Sequence, residues 1–82
     1  MTDFTLQQII DKSRAAKRGG FGVLSTGEKL AAALVLNRAD WLASMDYTMA
    51  EAIDRVGMDW LTRIPEAARQ LAYEAEQERG DA

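Results

Sequence analysis

Three times in this chain a Ser or Thr is followed three positions later by Glu or Gln at the head of an apolar helical pattern: Thr5/Gln8, Ser25/Glu28 and Thr48/Glu51. Each spacing is a capping box. The hydroxyl takes an orphan amide of the first helical turn, and the Glu or Gln side chain reaches back to the cap's own N–H. Pro65, suited to a first helical turn and hostile to a helix interior, marks a fourth start. Four helix starts in 82 residues leave little chain for strands. The expected fold is all-α: one domain over residues 1–82, a small bundle of four to six helices.

The central element is the most apolar. From Leu30 to Leu36 every residue is apolar, so a helix over about 26–36 has no wet side there and must be surrounded by the others. The first helix is expected to start after Thr5 and run to about Arg18. Phe4 and Ile9 would form a hydrophobic staple across its entry, Leu6, Ile9, Ile10, Ser13 and Ala16 would face the core, and Gly19 would close it. Asn37 suits a left-handed stop. Residues 38–45 can either continue the central helix with a bend or open a short new one capped by Asp40. Thr48 opens a helix ending at Gly57, with Met49, Ala52, Ile53 and Val56 on one face, and Met58–Leu61 begins a further short turn. The last helix is expected to start at Pro65, with Ile64, Ala67, Ala68, Leu71 and Ala75 as its stripe. Residues 74–82, charged and without an apolar anchor, are expected to fray.

Composition narrows the chemistry. With no Cys and no His, the usual zinc and haem ligands and the usual nucleophile–base pairs are missing, so no catalytic residue, metal site or cofactor is expected and the chain reads as non-enzymatic. The carboxylates Glu51 and Asp54, one turn apart, and Asp40, Asp46 and Asp59 near turns read as caps and solvated faces, since no calcium-loop spacing is present. No apolar run is long enough to span a membrane and the N-terminus lacks a signal-peptide pattern, so the expected compartment is the cytoplasm. Net charge is −3 but uneven. Residues 1–38 carry six cations (Lys12, Arg14, Lys17, Arg18, Lys29, Arg38) against Asp3, Asp11 and Glu28, while residues 39–82 carry four Arg against ten acids. Such asymmetry suits complementary association surfaces.

Two patterns bear on nucleic acid. Thr48–Gly57 resembles the first helix and turn of a helix-turn-helix, which would make residues 48–64 a DNA-reading unit with Arg55 and Arg63 as contacts. Ile53 stands where that motif has a small residue, Arg63 where it has an apolar one, and Pro65 interrupts the recognition helix. The basic cluster Lys12, Arg14, Lys17 and Arg18, running into Gly19-Gly20-Phe21-Gly22, would supply phosphate contacts, although cations in a last helical turn are explained by the helix dipole alone.

The aromatic and Met residues point elsewhere. Trp41, Tyr47, Met58 and Trp60, with Phe21 on its glycine loop, exceed what so short a chain is expected to bury, and these types are enriched in interface cores. They are the candidate surface for a protein partner or a second copy of the chain. The stretch Leu24–Leu42, continuing into Tyr47–Ile53, resembles small bacterial proteins of prophage type. That resemblance implies a mobile-element origin, a setting in which small helical proteins act by binding and modulating a host protein, and it assigns no site residue. The functional expectation is a non-enzymatic protein-binding module, with the DNA-binding regulator over residues 48–64 as the alternative.

Overall fold

A computed structural model describes residues 3–80, which form six α-helices: α1 (Phe4–Ala15), α2 (Thr26–Val35), α3 (Ala39–Ser44), α4 (Met49–Val56), α5 (Met58–Leu61) and α6 (Ile64–Gly80). The chain is an all-α bundle, and among the described residues no helix is long and apolar enough to cross a membrane.

Two of the three capping boxes form as read. Ser25 Oγ accepts from the Glu28 N–H while Glu28 Oε1 accepts from the Ser25 N–H at 2.8 Å. Thr48 Oγ1 accepts from Glu51 N–H at 3.0 Å, and Glu51 returns the bond to Thr48 N–H at 2.9 Å. A cap of this kind contributes about 1 kcal/mol. The third box is replaced: Asp3 caps α1, its Oδ1 accepting from Leu6 N–H at 3.0 Å, and the helix begins at Phe4 rather than after Thr5. Phe4 is therefore the first helical residue. It is 80% exposed, so the expected staple with the fully buried Ile9 is not made.

α1 ends earlier than expected. Its last turn widens into a π-type turn over Ala16–Gly20, where Gly19 adopts φ +101°, and a 3₁₀ turn, Phe21–Val23, leads to the Ser25 cap. After α2, Asn37 takes the left-handed conformation (φ +54°) and a new short helix starts. Arg38 occupies its cap position. Asp40, expected as the cap, lies in the first turn, where its carboxylate accepts a bidentate pair from Arg38 at 2.9 and 2.7 Å. α6 begins at Ile64, one residue before Pro65, and Pro is tolerated there because first-turn amides have no helical partner.

α2 is the hub. Val35 packs with Ile9, Ile10, Ala67 and Leu71 from α1 and α6; Leu30 and Ala33 pack with Leu42 and Ala52 from α3 and α4; Ala32 packs with Ala16 and Leu24 beneath the 16–24 connection. Leu34 and Leu36 are only half-buried, so the apolar run is surrounded on most sides rather than all.

The pairing of α1 with α6 is set by charge register. Asp3 pairs with Arg63, Arg14 with Glu74 and Arg18 with Glu78. All three join residues 60 positions apart, so the two segments run parallel with their starts together. Between the charges, Ile9 and Ile10 meet Ala67 and Leu71, with Leu6, Ile64 and Ala68 at the margin. Over the described residues α6 continues to Gly80, with Glu74 paired to Arg14 at 2.7 Å and Glu78 near Arg18 at 3.9 Å. Residues 81 and 82 lie outside the described residues.

Candidate protein-contact face

The five residues singled out as a contact surface are not gathered on one face. Trp41 is already engaged within the molecule: the Phe21 ring lies tilted at 37° with centroids 4.4 Å apart, and the Arg38 guanidinium sits over the indole at 4.4 Å. Both cation and ring supply the contacts that an exposed Trp would seek from a partner. Tyr47 packs against the Leu30–Leu42–Ala52 cluster, and Trp60 against the α1–α2–α6 cluster. Met58 is 69% exposed. Of the five, Phe21 and Trp41 meet each other, while Met58 and Trp60 share the single turn of α5.

The apolar face of α4 is only partly covered. Ala52 is fully buried against α2, but Met49, one turn earlier, is 52% exposed and Ile53 is 38% exposed. Met49, Ile53 and Val56 recur at i, i+4 and i+7, so they form one stripe on the side of the helix next to Ala52. The stripe ends in an open cleft of about 280 Å³ between α1, the first turn of α2 and α4–α5, lined by Gln8, Ser25, Gly27, Glu28, Val56 and Trp60. One wall of that cleft is apolar, from the half-buried Val56 and Trp60, and the other carries amide, hydroxyl and carboxylate.

Glu28 on the polar wall is held by its capping bond. The Ser25 N–H donating to it keeps its carboxyl below the usual carboxylate range, and the Lys12 ammonium at 3.6 Å acts in the same direction. Glu51 at the head of α4 is likewise lowered by the Thr48 N–H. Both are carboxylates at neutral pH.

The signal for this face is present in the pattern: α4 has five apolar positions in eight residues, more than the narrow Ala-rich flank of α2 can cover. Phe4, Val23 and Tyr73 are further exposed apolar side chains.

The residues proposed for nucleic acid are placed differently from what that role needs. Lys12 faces Glu28, Arg14 pairs with Glu74 and Asp11, and Arg18 with Glu78. Lys17 borders the same groove as Arg14, Glu74 and Glu78. Arg63 is taken by Asp3 and Asp59. Arg55 lies exposed on α4 among Glu51 and Asp54. α5, in the place of a recognition helix, is four residues long, and α6 follows with Pro65 and Glu66 in its first turn. Lys12, Arg14, Arg18 and Arg63 thus each face a carboxylate of the same chain, which a phosphate would have to displace.

Comparison with protein-family models, with curated proteins and with solved structures finds no match to this chain.

Proposed function

We propose that this chain acts without catalysis, as a small helical module that binds another protein through the α4–α5 face. The observation that carries the reading is the exposure of Met49, Ile53 and Met58 on two adjoining short helices beside the Trp60 cleft. Large apolar side chains on a polar surround are what a contact surface presents, and an apolar anchor from a partner would gain most by entering against Val56 and Trp60, where water is already partly excluded.

The test is affinity capture from a lysate of the source cell with the wild-type chain and with the double variant Met49→Ser/Ile53→Ser. Met49 is about half exposed and Ile53 keeps about three-fifths of its surface covered, so the variant should lose about 1–2 kcal/mol and stay folded, which its circular dichroism and thermal midpoint check. A protein retained by the wild type and lost by the variant supports the reading. Equal capture by both would move the contact to another face.

A further inference from the structure

The α4–α5 face has a charge that selects its partner. Across α3 to α5 stand Asp40, Asp46, Glu51, Asp54 and Asp59 against Arg55 alone. Arg38 and Arg63, at the two ends of this segment, neutralise Asp40 and Asp59. That leaves Asp46 and Asp54 beside the apolar stripe; Glu51 lies half a turn round the helix and is held by the Thr48 cap, and Glu28 on the cleft wall is already paired with Lys12. Helical spacing sets their places. From the buried Ala52 the apolar arc of α4 turns through Val56, Met49 and Ile53 to Ala50, and the next side chain round is Asp54. Asp46 holds a left-handed turn (φ +61°) just ahead of the Thr48 cap, at the Met49 end of the stripe.

We infer that the occupant of this face is a cationic amphipathic helix: apolar side chains at i, i+3 or i+4 and i+7 laid along Met49, Ile53 and Val56, with Lys or Arg on its flanks facing Asp46 and Asp54. The inference rests on the protein-binding reading above and adds the chemistry of the partner. Methionine suits such a role because its unbranched thioether side chain adapts to the side chains opposite. Apolar anchors in a groove give the affinity of a bound helix, and charge complementarity gives orientation and encounter rate. An acidic partner segment would set like charges together, so the face discriminates by repulsion as well as by attraction.

Three synthetic 16-residue peptides distinguish the parts of this inference: a Leu/Lys peptide with leucines at helical spacing, a Leu/Glu peptide of the same pattern, and a Leu/Lys peptide of the same composition with the spacing scrambled. Binding to the full chain is followed by tryptophan fluorescence and by calorimetry at low and at physiological salt. The patterned Lys peptide should bind at least tenfold more tightly than either control. Its affinity should fall at least tenfold in Met49→Ser/Ile53→Ser, and should weaken and lose part of its salt dependence in Asp46→Asn/Asp54→Asn. Equal binding of the scrambled Lys peptide would reduce the effect to net charge and overturn the inference. Equal or tighter binding of the Glu peptide, still sensitive to Met49→Ser/Ile53→Ser, would overturn the cationic assignment and leave the contact face standing. Binding of the Lys peptide that ignores both double variants would remove the face itself.

Discussion

Ser13 is the most informative single residue of the interior. It is fully buried on the core side of α1, and its Oγ has no hydrogen-bond partner. A small side chain is needed where α1 lies against α2 and α6, and the hydroxyl adds a desolvation cost without a bond to offset it. Ser13→Ala should therefore stabilise the fold by about 1 kcal/mol, read as a rise in the thermal midpoint. A lower midpoint would mean that the hydroxyl is satisfied in solution. Gly57 makes the opposite case. Its φ of +83° with ψ of 161° lies in a region almost closed to side-chain-bearing residues, although nothing lies within 4 Å of where a Cβ would stand. Gly57→Ala should cost about 1–3 kcal/mol through backbone strain alone, and chemical denaturation measures it. Asn37 and Asp46 show the milder form of the same demand: both have positive φ, and both are residue types that tolerate it.

At the level of elements, the parallel α1–α6 pair depends on charges placed 60 residues apart. The Arg14–Glu74 contact has bidentate geometry, with Nε to Oε1 at 3.0 Å and Nη2 to Oε2 at 2.7 Å, and both side chains are about three-quarters buried or close to it. A double-mutant cycle with Arg14→Ala and Glu74→Ala should give a coupling of about 0.5–1 kcal/mol that shrinks as salt is added. A coupling of zero would leave the register to the apolar contacts alone. This pair also explains what was legible in the sequence. The Ser25 and Thr48 boxes, the α1 stripe and the central run were readable because each depends on a window of a few residues. The Thr5/Gln8 spacing is displaced by Asp3, whose carboxylate serves the Leu6 amide and Arg63 at once. The partners of Glu74 and Glu78 lie in the first segment, out of reach of any local pattern. Trp41 looked available because neither the tilt of Phe21 over it nor the Arg38 stack is a local pattern. Conversely, Met49 and Ile53 looked buried because α4 is amphipathic; that α2 covers only its Ala52 side depends on the packing of the whole bundle.

For the whole molecule, acid is the revealing perturbation. Five carboxyls lie below their ordinary values: Asp3 through the Leu6 N–H and then Arg63, Glu28 through Ser25, Asp40 through Arg38, Glu51 through Thr48, and Glu74 through Arg14. A depressed carboxyl in the folded state means that the unfolded chain binds more protons as pH falls, so stability is complete above the ordinary values of 3.8 for Asp and 4.5 for Glu and is lost below them. The thermal midpoint should be flat from about pH 6 to 8 and should fall progressively below about pH 4.5, with no second transition near neutrality because the chain has no His. A midpoint that rises on acidification would contradict the ion-pair and capping account. Function at this scale comes down to which surface is occupied. The α1–α6 side spends its charges internally, and the α4–α5 side leaves its apolar and acidic groups outward. Site-specific photo-crosslinking in the source cell tests this most directly, with benzoylphenylalanine placed at Ile53 in one variant and at Tyr73, an exposed position on α6, in another. The account predicts a defined crosslinked protein from position 53 and none from position 73; the same adduct from both, or one from 73 alone, would contradict it.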